Sequence, residues 1–223
     1  NSYSKTDLEA TFMRMKEDHM KNGQLKAAYN VQIAVENYFI VQAYVSNDRP
    51  DYNTLIPVLE KHKNAFGEIL GEVTADSGYC SEKNLLYLKK HKISSYIKLQ
   101  DHEKRKTRAY TEEIGKYYNM KTQIFEDELY YICHDGRELH HIRTEKKEQA
   151  GYTQTFEVYG CSDCSGWRHK EKCLYKYDAE KDAEKNKVMK INEQWEALKE
   201  ESHGNIQSEK GILNRQIRSI QTE

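Results

Sequence analysis

The segment Glu72-Val73-Thr74-Ala75-Asp76-Ser77-Gly78-Tyr79 leads from an apolar stretch to a carboxylate and then to a turn. Ile69, Val73 and Ala75 predict a buried strand at residues 69–75. Asp76 follows at the carboxyl end of this strand, the edge at which α/β sheets place their functional sites. An aspartate before Ser-Gly is also typical of an ordinary turn, so this position alone does not separate the two interpretations.

The segments on either side of Asp76 predict a mixed α/β fold. Tyr29, Val31, Ile33 and Val35 alternate with polar residues and predict a strand with one buried face, within a β-hairpin at residues 29–46. Helices are predicted from Asn53 to Asn64 and, capped by Ser81, at residues 82–91, with a further strand at residues 93–99. This β-β-α-β-α-β order predicts a mixed sheet with helices on its faces.

The remaining sequence divides into an insertion and a helical end. Residues 100–177 are charged and rich in Tyr and Cys, and predict short strands at Tyr130–Cys133 and Thr155–Tyr159. Residues 178–201 have helical composition, with Val188, Ile191, Trp195 and Leu198 at helical spacing. A last helix has Ile212, Leu213, Ile217 and Ile220 as its apolar positions. The predicted domains are therefore 1–99, 100–177 and 178–223.

Composition predicts a cytosolic protein without a membrane span, because no segment is long and apolar enough to cross a bilayer. The net charge is -1, which is not the overall signature of a nucleic-acid-binding protein. The segment from Lys89 to Arg108, however, contains eight basic residues and only two acidic ones. This run is either a solvated surface or a phosphate-binding patch. The DNA-binding candidates in it are Lys98, Lys104, Arg105, Lys106 and Arg108.

Several segments, in order along the chain, resemble the insertion-sequence family of DDE transposases. Val73–Ser81 is similar to the family segment ADAGY-S. The family segment ahead of the hairpin resembles Asn1–Lys16. The family also has a segment that resembles Asn22–Lys26 followed by Tyr29–Gln32. Arg218–Glu223 resembles the helix that carries the third catalytic acid.

This resemblance implies an RNase-H-like fold and a triad of two Asp and one Glu that holds two Mg²⁺ ions. Asp76 would be the second acid and Glu223 the third, with Arg218 as a phosphate contact. Two such ions, about 4 Å apart, activate the attacking hydroxyl and stabilise the leaving oxygen of a phosphodiester. The implied reaction is cleavage and strand transfer at the ends of a mobile DNA element. Enzymes of this kind work as dimers on paired ends.

The sequence also departs from the family pattern. The family's first Asp lies in an upstream Asp-Gly-Thr strand, and no such motif occurs here. The family sequence also continues beyond the third acid. We therefore expect an incomplete RNase-H-like domain without its first strand, and a chain that does not cleave DNA by itself. The alternative is a catalytically inactive, DNA-binding remnant of a transposase.

Four of the five cysteines lie between residues 133 and 173. Cys161 and Cys164 are separated by two residues, a spacing that suits tetrahedral zinc, and Cys133 and Cys173 complete four ligands, with His169 to spare. The resembled family often has a further Cys where this chain has Trp167. The cluster is therefore either a zinc site or a set of reduced, unligated thiols. A small zinc-stabilised interaction module is a third candidate function.

Overall fold

A computed structural model of the chain describes residues 3–15, 21–67, 70–149 and 152–222. The chain forms two compact units, the first within residues 1–100 and 198–223 and the second within residues 101–197. The first unit carries the predicted strand-helix pattern around Asp76. The second unit carries the Cys-rich segment.

Two antiparallel hairpins begin the first unit. β1 (Thr11–Arg14) pairs with β2 (Leu25–Ala28), and β3 (Asn30–Glu36) pairs with β4 (Phe39–Ser46). The second hairpin confirms the prediction for residues 29–46. The first was missed because its short strands have no apolar alternation from which a strand could be read.

The buried face of β3 is the opposite of the one that the apolar alternation indicates. Val31 and Ile33 are 56% and 53% exposed, whereas Gln32 between them is 7% exposed. The reason is a network of side-chain hydrogen bonds in which Gln32 bonds Asp51 and Tyr79. Buried polar groups with partners are stable in such a position.

A second set of elements leads to and from Asp76. Helix α1 (Leu55–Phe66) has Pro57 in its first turn, as expected, and β5 (Glu72–Ala75) ends immediately before Asp76. Helix α2 (Glu82–Lys90) is capped by Ser81, whose hydroxyl accepts a hydrogen bond from Asn84 N. β6 (Ser94–Ile97) runs parallel to β5. In the described residues, β3–β4 and β5–β6 are separate two-stranded sheets rather than the single mixed sheet expected, because alternation predicts strands but not their partners.

Helices α6 (Glu193–Gln207) and α7 (Glu209–Thr222) complete the first unit from residue 198 onward. Ser202 on α6 is buried and its hydroxyl donates to Ile97 O over 2.8 Å, which fixes the helix to β6. α7 has an unexpected orientation, since its predicted apolar positions Ile212, Leu213, Ile217 and Ile220 are exposed. The half-buried side of α7 carries Asn214, Arg215 and Arg218 instead.

The second unit is built on a five-stranded antiparallel sheet in the order β11-β10-β9-β8-β7. The strands are β7 (Lys121–Phe125), β8 (Glu128–Ile132), β9 (Glu138–Gln149), β10 (Tyr152–Cys161) and β11 (Val188–Ile191). Three single-turn helices accompany them, α3 (His102–Arg105), α4 (Arg108–Thr111) and α5 (Lys170–Cys173). Leu139 and Val158 are fully buried in this unit.

The predicted helix at residues 178–201 is wrong over its first part. Val188–Ile191 form β11, which pairs antiparallel with β10, and α6 begins only at Glu193. Met189 and Ile191 are buried, while Val188 and Lys190 point outward. Pairing with β10 therefore overrides the weak preference of the local composition for a helix.

The fold as described is a mixed α/β arrangement with a predominantly antiparallel second unit. Among the described residues, no helix combines the length and apolar character needed to cross a membrane.

Candidate active site

Asp76 lies where the sequence places it, at the carboxyl end of β5. It caps a short 3₁₀ turn at Ser77–Tyr79, and its Oδ1 accepts a hydrogen bond from Gly78 N over 2.8 Å. This bond uses one of the acceptor positions of the carboxylate and fixes its direction. Asp76 is thus a turn residue that also presents a carboxylate at the end of a strand, and its functional role stays a prediction.

Asp51 contributes a second carboxylate to this place. It begins the 3₁₀ turn Asp51–Asn53 ahead of α1. Its Oδ1 accepts hydrogen bonds from Asn30 Nδ2 over 2.8 Å and from Gln32 Nε2 over 3.1 Å. The two β3 amides hold one oxygen of Asp51 and leave the other available.

Gly78 separates the two carboxylates. A Cβ atom at Gly78 would lie 3.0 Å from Asp51 Oδ2 and 3.0 Å from Asp76 Oδ1. The two oxygens are therefore no further apart than twice that distance. Glycine permits this approach because any side chain at position 78 would occupy the space between the two acids.

Tyr79 closes the site on the side of β3. Its hydroxyl donates a hydrogen bond to Gln32 Oε1. Burial and, to a smaller extent, the charges of Asp51 and Asp76 together raise the pKa of Tyr79 to about 12, and the charge of Arg218 opposes them. Tyr79 therefore remains a neutral hydrogen-bond donor throughout the physiological range.

Asn84 fixes the two acid-bearing turns to each other. Its side chain is buried, and Nδ2 donates to Tyr52 O and to Tyr79 O, each over 2.8 Å. One carbonyl belongs to the turn of Asp51 and the other to the turn of Asp76. A single amide on α2 thus sets the spacing of the two acids.

Helix α7 runs alongside β5 towards this site. Near its start, Lys210 forms an ion pair with Glu72, and Asn214 donates to Glu72 Oε1 over 3.4 Å. Further along, Arg218 is close enough to Tyr79 to lower its pKa. Eight helical residues and four strand residues both span about 12–13 Å. α7 therefore runs along β5 towards the carboxyl end of the strand.

Glu223, the predicted third acid, lies outside the described residues. The assignment of Glu223 as the third acid therefore stays a prediction.

The predicted basic patch is divided between the units and is largely paired. Lys98 belongs to the first unit and the other four candidates to the second. Arg105 pairs with Asp101 and Lys106 with Glu103, while Arg108 pairs with Glu112 and Lys104 with Glu113. These carboxylates reduce the positive charge that residues 104–108 can offer to a phosphate.

The four candidate zinc ligands are all buried, free thiols of the second unit. Burial, opposed by a hydrogen bond to Asp163 and reinforced by the Cys164 and Cys133 thiols, raises the pKa of Cys161 to about 11. Burial also raises the pKa of Cys173, again with Cys164 and Cys133 contributing. Cys133 and Cys164 therefore lie close enough to raise the pKa values of Cys161 and Cys173.

Neither the acids nor the thiols form a completed metal site. Within the described ranges, no three or more His, Cys, Asp and Glu side chains converge as metal ligands. Around Gly78, the described acidic side chains are the pair Asp51 and Asp76.

Sequence reasoning missed Asp51 and the three side chains that support the pair, Asn30, Gln32 and Tyr79. The available signal was the position of Asn30 and Gln32 on the polar face of β3, within a segment that the family resemblance had already marked.

The site is a pair of acids beside the end of a strand, on a mixed α/β fold. Comparison with known proteins gives separate information on the class of protein. Residues 132–223 match the family model of the transposase DDE domain. This part of the chain is therefore similar to that domain, and the resemblance to DDE transposases is confirmed over these residues. The matched region includes the Cys-rich turns, α6 and α7. No curated protein and no solved structure has significant similarity to the chain.

Proposed function

We propose that the chain forms part of the catalytic centre of a DDE transposase with an RNase-H-like core. The reaction is Mg²⁺-dependent cleavage and transfer of phosphodiester strands at the ends of a mobile DNA element. The observation that carries this proposal is the approach of Asp51 and Asp76 across Gly78 at the carboxyl end of β5.

The acid pair fits the implied metal ion. Mg²⁺ prefers carboxylate oxygens and keeps several waters, so it needs few protein ligands. Asp51 and Asp76 each present an oxygen towards Gly78. Bound Mg²⁺ would activate the attacking hydroxyl and neutralise charge on the leaving oxygen.

The protein side chains around the pair have positioning roles. Asn30 and Gln32 hold the Oδ1 atom of Asp51, and Gly78 N holds Oδ1 of Asp76, so neither carboxylate rotates freely. Tyr79 fixes Gln32 in turn. We assign Arg218 to a phosphate of the DNA and Glu223 to the third acid, because α7 runs towards the pair.

Mn²⁺ binding, measured by electron paramagnetic resonance, tests this site. Asp76→Asn removes the charge but keeps a good cap for the turn. We expect it to weaken Mn²⁺ binding at least tenfold, and Asp51→Asn to do the same. The matched control is Asp48→Asn, an exposed acid of the same loop. Equal affinity of all four proteins would contradict the proposal.

Nicking of supercoiled plasmid in Mg²⁺ tests whether the chain is active by itself. Nicking by the wild-type chain that is lost in Asp76→Asn would support catalysis at this site and would contradict the expectation that this chain does not cleave DNA by itself. DNA binding without nicking is expected both of part of a catalytic centre and of an inactive DNA-binding remnant, and Mn²⁺ binding that depends on Asp51 and Asp76 then favours the first.

A further inference from the structure

The second unit concentrates four cysteines on three neighbouring segments. Cys133 follows β8, Cys161 ends β10, Cys164 lies on the next turn, and Cys173 ends α5. None is more than 9% exposed, and all are free thiols. The fifth cysteine, Cys80, belongs to the first unit.

Arg137 joins the turn of Cys133 to the turn of Cys161 and Cys164. Its guanidinium donates to Asp163 O and to Ser165 O, each over 2.7 Å. Gly136 N donates to Cys133 O over 2.9 Å and closes the first turn. The two turns therefore face each other at a fixed distance.

Backbone amides point at two of the sulfurs. Asp135 N donates to Cys133 Sγ over 3.4 Å, and Lys187 N donates to Cys164 Sγ over 3.3 Å. Hydrogen bonds to sulfur favour the thiolate, which is the form that binds metal. The backbone thus supports negative charge at these two positions.

Cys173 is held beside the same turns through Gly115. A Cβ at Gly115 would lie 2.7 Å from both Cα and O of Cys173, so only glycine permits this contact. Gly115 N also donates to Nδ1 of His134, the residue after Cys133, over 3.5 Å. Gly115 therefore contacts both Cys173 and the residue that follows Cys133.

Lys187 places a positive charge among these cysteines. Its Nζ donates to Cys173 O over 2.8 Å, while its own backbone N contacts Cys164 Sγ. Four thiolates around a divalent ion leave a net charge of about −2. An ammonium at this position would offset part of it.

We propose that Cys133, Cys161, Cys164 and Cys173 bind one structural Zn²⁺ that joins β8, β10 and α5. Four protein ligands leave no open position, so the ion stabilises the unit rather than catalysing a reaction. The sulfurs do not yet converge as a metal site. Rotation about χ1 moves each sulfur among staggered positions without moving the anchored backbone.

Cobalt titration of the full 223-residue chain tests this proposal. Co²⁺ bound by four thiolates gives tetrahedral d–d bands and intense thiolate-to-metal charge transfer. We expect these bands to saturate at one metal per chain and to disappear when Zn²⁺ is added. A strong chelator should increase the rate at which a thiol reagent modifies Cys133, Cys161, Cys164 and Cys173, and should leave the rate for the buried Cys80 unchanged.

Two substitutions assign the ligands. Cys161→Ser should abolish the tetrathiolate spectrum or weaken metal binding at least tenfold, whereas Cys80→Ser should leave both spectrum and stoichiometry unchanged. The wild-type spectrum and thiol reactivity do not depend on whether Cys161→Ser folds. A wild-type chain with no such spectrum and with thiol reactivity that the chelator does not change, or with disulfides, overturns the proposal.

Discussion

Asp51 Oδ2 and Asp76 Oδ1 approach each other across Gly78, each 3.0 Å from the place where a Cβ of residue 78 would lie. The two acids are distant in sequence and are brought together by two short turns. Asn84 holds the carbonyls of both turns.

Gly78→Ala should weaken Mn²⁺ binding about tenfold, which corresponds to about 1.4 kcal/mol. The added methyl group forces the two carboxylate oxygens away from their present positions. Gly71→Ala is the control, because nothing lies within 4 Å of a Cβ there. Titration of both variants by electron paramagnetic resonance measures the effect. If Gly78→Ala binds like wild type, the two oxygens do not share an ion.

Tyr79 should make the stability of the first unit depend on pH in the alkaline range. Its pKa is raised from 10.0 to about 12 by burial and by Asp51 and Asp76. The unfolded chain therefore releases this proton more readily. The stabilising contribution is complete below pH 10 and is lost as pH rises towards 12.

The Tyr79→Phe variant isolates this contribution from those of the other tyrosines. Denaturant unfolding of wild type and variant between pH 9 and about 12 should show a smaller pH dependence for the variant. Parallel curves for the two proteins would show that Tyr79 titrates normally.

Arg218→Ala should lower DNA affinity and reduce the slope of log affinity against log salt concentration by about one. The reason is the position of Arg218 on α7, where its charge lowers the pKa of Tyr79, the residue beside the acid pair. Arg108→Ala is the comparison, since Arg108 is exposed and paired with Glu112. Fluorescence anisotropy with labelled DNA at several salt concentrations measures both slopes. A larger loss for Arg108→Ala would move the DNA contact to the second unit.

Ile191→Ala should destabilise the second unit by about 2–4 kcal/mol, because it removes a fully packed side chain. Val188→Ala should cost less than about 1 kcal/mol, since Val188 is on the outer side of β11 and 48% exposed. Denaturant unfolding compares them. In a helix the two residues would share one face, so equal costs would favour a helix at this place over the strand.

The family match and the local elements could be predicted from sequence because their signals lie between near neighbours. Alternation located the β3–β4 hairpin, Ser81 marked the start of α2, and Asp76 followed an apolar strand. The division into domains at residues 99 and 177 stays a prediction. The helix expected at residue 178 failed because pairing with a distant strand decided the conformation of Val188–Ile191.

The sequence by itself determined the approximate places of the β3–β4 hairpin, α1, β5, α2 and β6, and that a carboxylate stands after β5. Tertiary structure alone decided that Gln32 rather than Val31 faces inward, that α7 turns Arg218 towards β5, and that Asp51 meets Asp76. The physical reason is the distance along the chain over which each kind of interaction acts. Capping and periodicity act over a few residues, whereas a buried hydrogen-bond network forms only when distant turns meet, and its partners then decide which face of a strand or helix is buried.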